Sequence, residues 1–168
     1  MALLEHLKMM ADYHQWAHAR LLQYVEALSK EEYHQPCGLY FTSVHGTYNH
    51  MLVGDSLWYG RFVNERVDLP GLDHELCSSR ESLVAALTVQ TNKWVDYVEQ
   101  LTKERLEENL TYHSMVGEQY SLPKGELLAH VFNHGTHHRG QVSSIVTQLG
   151  YPCPEMDVVY FMLVNRKV

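Results

Sequence analysis

Apolar residues recur along most of this chain in a helical rhythm. Over residues 2–29, Leu3, Leu7, Met10, His14, Ala17, Leu21, Tyr24 and Leu28 step by alternating fours and threes, the seam of a helix packed in a bundle. Residues 30–42, with Pro36 and Gly38, read as a connection. Ser43 suits the cap of a second helix running to about Asn64. That helix carries Val44, Tyr48, Met51, Leu52, Leu57, Trp58 and Phe62, apolar over most of its circumference. Such a helix is buried on several sides, by its own bundle or by a partner subunit. Pro70 and Gly71 break the chain before a third helix over 78–103, whose inward residues are Leu83, Leu87, Trp94, Val98 and Leu101. Residues 106–122 change period: Leu110, Tyr112 and Ser114, then Gln119 and Ser121, flank Val116-Gly117-Glu118 and predict a short β-hairpin. Pro123 opens a fourth helix ending near Leu149-Gly150, and Pro152 and Pro154 prevent its continuation. Residues 156–165 predict a short, very apolar last helix. The sum is an all-α fold, a four-helix bundle with a hairpin before the fourth long helix, in one domain over residues 1–168.

The fourth helix also carries four histidines within nine residues, His130, His134, His137 and His138. At roughly 100° per residue its apolar face centres near Val131 and Leu149. His138 then falls about 20° from the centre and His134 about 60°, while His130 and His137 lie about 100–120° away, toward the rim. Two inward imidazoles one turn apart are within reach of one metal ion. Hydrogen-bonded core histidines are the bland explanation, and the pair supplies only two of the three protein ligands that a catalytic metal site normally needs. The glutamate of an HExxH metalloprotease is missing. Periodicity leaves the third ligand open among His14, His45 and His50: His14 is on the seam of the first helix, and the second helix has no single apolar face to measure against. His6 and His18 fall off the seam and are expected in solvent.

Composition narrows the function classes. The formal charge is −7 and no run of Lys or Arg forms a nucleic-acid track. No apolar run approaches membrane-spanning length. Cys37, Cys77 and Cys153 are odd in number and widely spaced, and with no secretory signal at the N-terminus they point to the reducing cytoplasm.

Three stretches carry a resemblance: YHQWAHARLL from Tyr13, SVHGTYNHMLVGDSLW from Ser43, and the block His130-Val131-Phe132-Asn133-His134-Gly135-Thr136-His137-His138-Arg139-Gly140-Gln141. With the closing MDVVYFMLVNR they span almost the whole chain, which resembles the DinB/YfiT-like superfamily of bacterial four-helix-bundle metalloproteins (not the DNA polymerase that shares part of that name). The resemblance implies an up-down-down-up bundle, and it carries the metal-ligand role onto His50, His134 and His138. His14 departs from the family pattern, which has asparagine there, and adds an imidazole close to the site as a neighbour of the ligands, a fourth ligand or a core residue.

Three neutral imidazoles suit Zn²⁺, Ni²⁺ or Fe²⁺ and leave a position open for water or substrate. One divalent ion per chain is expected, and the resemblance implies a metal-dependent enzyme, either a small-molecule hydrolase or a thiol-dependent S-transferase using a low-molecular-weight thiol. A non-catalytic metal-binding stress protein is the alternative, and a substrate pocket beside the open position separates the two. Asp55 and Tyr13 are possible supporting groups with ordinary structural explanations. The apolar second and last helices, together with the resemblance, suggest a homodimer.

Overall fold

A computed structural model describes residues 2–165; Met1 and 166–168, including the Arg166 that closes the last family-like stretch, lie outside the described residues. The elements in order are α1 (Leu3–Val25), α2 (Lys30–His34), α3 (Val44–Val63), α4 (Arg80–Glu99), α5 (Lys103–Glu107), β1 (Asn109–His113), β2 (Gln119–Pro123), α6 (Lys124–Gln148) and α7 (Val158–Asn165). The bundle is α1, α3, α4 and α6, and its directions follow from contacts between them. Leu3 lies against Gly125 and His14 against Gly135, so α1 and α6 run parallel. Tyr59 meets Trp94 and Phe62 meets Tyr97, so α3 and α4 also run parallel. Lys8 pairs with Glu99 and Gln15 with Asn92, which sets α1 against α4. His50 meets His138 and Trp58 meets His130, which sets α3 against α6. The order is therefore up-down-down-up, and residues 64–79 return the chain along the bundle between the two parallel helices.

Caps place the helix starts. The Ser43 hydroxyl accepts from Gly46 N, that of Ser79 from Ser82 N, and that of Thr102 from Arg105 N. The expected first helix over 2–29 ends earlier, at Val25, and the expected connection over 30–42 holds a short helix, α2, which the reciprocal capping box of Ser29 and Glu32 opens. The carbonyls left at the end of α1 go to the Arg80 guanidinium, which donates to Val25, Glu26, Leu28 and Ser29. The hairpin lies where expected, in a different register: Leu110 faces Leu122 and Tyr112 faces Tyr120, so Tyr120 and Leu122, not Gln119 and Ser121, share the face. A one-residue slip exchanges the faces of a strand, and only the pairing decides it. The apolar circumference of α3 is covered by this chain's own α2, α4, α6 and β1, whereas α7 leaves Val159, Leu163 and Val164 exposed.

Burial divides the interior into three layers. One apolar layer contains Leu21, Val25, Tyr48, Met51, Leu87, Val142 and Val146. The other contains Leu7, Ala11, Phe62, Trp94, Val98, Leu128 and Phe132. Between them the helices bring buried polar groups together: His14 and His18 from α1, Asp55 from α3, Gln90 and Thr91 from α4, and Arg139 from α6. His18 corrects the expectation of a solvated residue. It is 2% exposed, and neither ring nitrogen has a protein partner among the described residues. It sits beside the α1 seam, where His14 packs edge-on against it with ring centroids 4.6 Å apart.

Burial above all, then the neighbouring His14 and Arg139, pushes the His18 pKa well below 6.5. His18 is thus neutral in the folded chain, whereas in the unfolded chain it titrates near 6.5. Below that pH the unfolded state binds the extra proton, so this contribution to stability is complete above about pH 6.5 and is lost as pH falls toward the folded-state value. A His18→Leu chain is expected to show a flatter fall in unfolding free energy between about pH 6.5 and 5, and to gain about 1 kcal/mol at pH 7 by losing two unpaired buried nitrogens. Urea unfolding across that range checks it, and an unchanged slope would refute the assignment.

Candidate metal centre

His50 on α3 and His134 and His138 on α6 converge at the contact between these antiparallel helices. Their ligand nitrogens all lie within 4.8 Å of one another. His134 Nε2 is 3.1 Å from His50 Nε2 and 3.1 Å from His138 Nε2. The protonation of two rings follows from their other nitrogens. His50 Nδ1 lies 2.9 Å from the Leu72 carbonyl, which can only accept, so it donates there and Nε2 is a bare lone pair. His138 Nδ1 donates to Gln141 Oε1 at 2.8 Å, which leaves its Nε2 bare too. His134 Nε2 has at most one hydrogen to offer two lone pairs, so hydrogen bonding alone cannot satisfy the cluster. A divalent cation satisfies all three: nitrogens bound at about 2.0–2.1 Å lie roughly 3–3.5 Å apart, and the outward N–H of each of two ligands is already anchored. The donor set therefore fits a metal ion.

The electrostatics agree. Burial first, then His138, His50 and the other neighbouring imidazoles, pulls His134 down to about 3. Burial, partly offset by the Gln141 hydrogen bond, takes His138 down to about 4. His50 is lowered by burial against the opposing pull of the Leu72 carbonyl and Asp55. All three are neutral donors at neutral pH, the form a metal requires. Phe41 stacks on His50 with ring centroids 3.6 Å apart and meets His138 edge-on, closing one side of the site.

Gly54, one turn beyond His50, makes room for the second helix. A Cβ there would lie 3.0 Å from His134 Cε1. On the open side the site faces a cavity of about 470 Å³ whose wall includes His50, His134, Trp58, Tyr112 and Met115.

A second group, His14, His18 and Asp55, also brings three ligand atoms together, but its hydrogens are accounted for differently. Arg139 Nη1 lies 3.2 Å from His14 Nδ1, and a guanidinium can only donate. The His14 proton is therefore on Nε2, where it is given to Asp55 Oδ2 at 3.1 Å. This chain of donors already contains its cation, the fully buried Arg139, which also donates to Thr136 and lies over the Tyr13 ring. Gly135 permits it, since a Cβ there would sit 2.4 Å from His14 Cε1. The pattern is that of a buried hydrogen-bonded network with its own cation, which leaves the His18 nitrogens out, and His14 is not part of the three-histidine group.

Of the three sequence candidates for the remaining ligand position, only His50 joins His134 and His138. His45 instead contacts Asn49 and Glu75 and packs on Tyr33 and His34. His137 is exposed, and His130 lines the cavity against Trp58. Asp55 holds His14, and the Tyr13 hydroxyl donates to the Met156 carbonyl. Sequence reasoning missed Phe41, the Leu72 carbonyl and Gln141. Gln141 was findable, three residues beyond His138 and so its neighbour on the helix surface; the other two come from connections with no periodic signal.

The DinB family model matches residues 3–166. The chain belongs to the DinB family. Protein DinB of Bacillus subtilis (strain 168) is 25% identical over 161 residues, which is 92% of each chain. Among solved structures, YfiT from Bacillus subtilis, described as a probable metal-dependent hydrolase with an unusual four-helix bundle topology, superposes with a TM-score of 0.66 at 17% identity, covering 88% of this chain and 90% of YfiT. A DinB-like protein from Bacillus cereus gives 0.59 at 16% identity, covering 83% and 90%. These likenesses establish the shared bundle.

Gly54→Ala tests the close approach of α3 and α6. The added methyl displaces the His134 ring, and metal affinity is expected to fall about ten- to a hundredfold, the usual cost of disturbing a ligand's support, with the helical content unchanged. Competition with a chromogenic chelator measures it; wild-type affinity would show that Gly54 does not position this imidazole.

Proposed function

We propose that this chain is a metal-dependent enzyme acting on a small molecule, with one divalent ion held by His50, His134 and His138. The observation that carries this reading is the pair of bare imidazole lone pairs aimed at a third nitrogen beside a cavity. A purely structural ion has no use for an open approach, so the cavity favours an enzyme over a storage or stress-response metal binder. When bound by His50, His134 and His138, such an ion would supply Lewis acidity that lowers the pKa of a water or thiol brought to its open position. The chain's own groups do the rest. Leu72 and Gln141 fix the orientation of His50 and His138, burial keeps His134 neutral, and Trp58, Tyr112 and Met115 exclude bulk water from the approach. The reaction classes are small-molecule hydrolysis, which the description of YfiT supports, and transfer of a low-molecular-weight thiol. Cys37, Cys77 and Cys153 do not line the cavity, so a reacting thiol would enter as a co-substrate.

Elemental analysis of protein purified without an affinity tag is expected to give about one Zn, Ni or Fe per chain. Single alanine changes at His50, His134 and His138 should each remove most of it, while His130→Ala and His137→Ala retain it. Two ions per chain, or equal loss at His137, would contradict the site as drawn.

The open position is tested with cobalt-loaded protein in which the three cysteines are serine. Both mercaptoethanol and acetohydroxamate are offered as ligands. Near-ultraviolet sulfur-to-metal absorption with the thiol assigns S-transfer, a visible-band change with hydroxamate alone assigns hydrolysis, and no response to either overturns the enzyme reading.

A further inference from the structure

The cavity beside the three histidines has a distinctive charge pattern. None of the chain's 20 Asp and Glu residues contributes to its wall. Its surface is mostly aromatic and aliphatic, with Trp58, Tyr112, Tyr120 and Met115 prominent, and its one permanently charged side chain is Arg61.

The Arg61 guanidinium lies 4.5 Å from the Trp58 ring centre and 4.8 Å from that of Tyr112. One Nη2 hydrogen goes to the His113 carbonyl at 3.1 Å, which ties the hairpin to the end of α3. No carboxylate among the described residues pairs with it. Glu65 and Asp68 line an adjoining cavity with Arg61 but form no ion pair with it, and Asp68 is taken by Arg66. A half-buried cation, packed against two rings with N–H groups to spare, is prepared to receive an oxyanion.

Its position relative to the histidines sets the size of what it receives. Arg61 is eleven residues after His50, so the two share a helix face within about 20° and lie about 16 Å apart along the axis. The Arg61 side chain leans back toward His50, as helical side chains do. Gly54 and Leu57 lie along the same face and form the floor between them. A cavity of about 470 Å³ accommodates a molecule of ordinary metabolite or drug size.

We infer that this cavity binds an elongated, largely apolar small molecule ending in an oxyanion, a carboxylate or a phosphate. Arg61 holds the anion, Trp58, Tyr112 and Met115 hold the body, and the reacting group is delivered to the three-histidine site. This specificity rests on the reading of those histidines as a metal centre, and its test can fail separately from that reading.

Calorimetry on the zinc-loaded chain compares phenylbutyrate, phenylbutyl phosphate and uncharged phenylbutanol, with metal content measured on the same samples. At least one of the two anions is expected to bind about tenfold more tightly than the alcohol, and the larger margin identifies the preferred oxyanion. Arg61→Gln should abolish the margin while leaving the alcohol's affinity and the metal content unchanged, and Arg61→Lys should keep most of it. Equal affinity for acid, phosphate and alcohol, no saturable binding of any of them, or a margin that survives Arg61→Gln because the metal itself takes the anion, would each overturn the inference. Loss of the metal with the Arg61-dependent margin intact would instead overturn the metal-centre reading alone.

Discussion

Three imidazole nitrogens directed at one another across the α3–α6 contact set the terms for the rest of the molecule. Bare lone pairs at 3.1 Å repel, and nothing among the described residues supplies hydrogens for all of them. The arrangement persists because the surrounding structure fixes each ring from outside. Leu72 holds His50, Gln141 holds His138, Phe41 covers one face, and the absent side chain of Gly54 lets His134 approach. Apolar packing above and below holds the two helices at the register that makes the nitrogens meet.

The same polar level of the bundle solves two electrostatic problems in two ways. Toward the interior, Asp55, His14 and Arg139 form a chain in which an arginine is the cation. Such a network carries its own cation and is costly to break, because each deletion strands a buried partner. At the rim, the three histidines have no internal cation and face an open cavity. The up-down-down-up order makes both possible. It places α6 between α1 and α3, so one stretch of helix sends Arg139 toward His14 and His134 and His138 toward His50.

The hairpin completes the arrangement. Tyr112 and Tyr120 face one another across its strands, and Arg61 holds the His113 carbonyl at its end. It therefore walls the cavity over the last turns of α3, where a bare bundle would leave Trp58 in water. Helix α3 thus supplies His50, the cavity floor and the cavity's charge from one face, which explains why a helix so fully buried carries a glycine at 54 and a charge at 61.

Much of this was legible in the residues alone, because helical periodicity is a local property. The four long helices, the hairpin and the terminal helix follow from spacing and from Pro, Gly and Ser signals. The inward placement of His134 and His138 follows from the angle of each to the apolar face of its own helix. His50 could not be reached that way, since a helix apolar on nearly all sides offers no reference direction; only the family-like motif singled it out. His18 misled for the opposite reason. It lies off the seam, but α1 is flanked by both α4 and α6, and two neighbours bury a wider arc than one seam describes. The early end of the first helix at Val25, the strand register, the separation of His14 from the three-histidine cluster, and the meeting of Arg61 with Trp58, Tyr112 and the cavity depended on contacts between segments far apart in the chain. Spacing along one element determines which way a side chain points; what it points at is decided only when the helices pack.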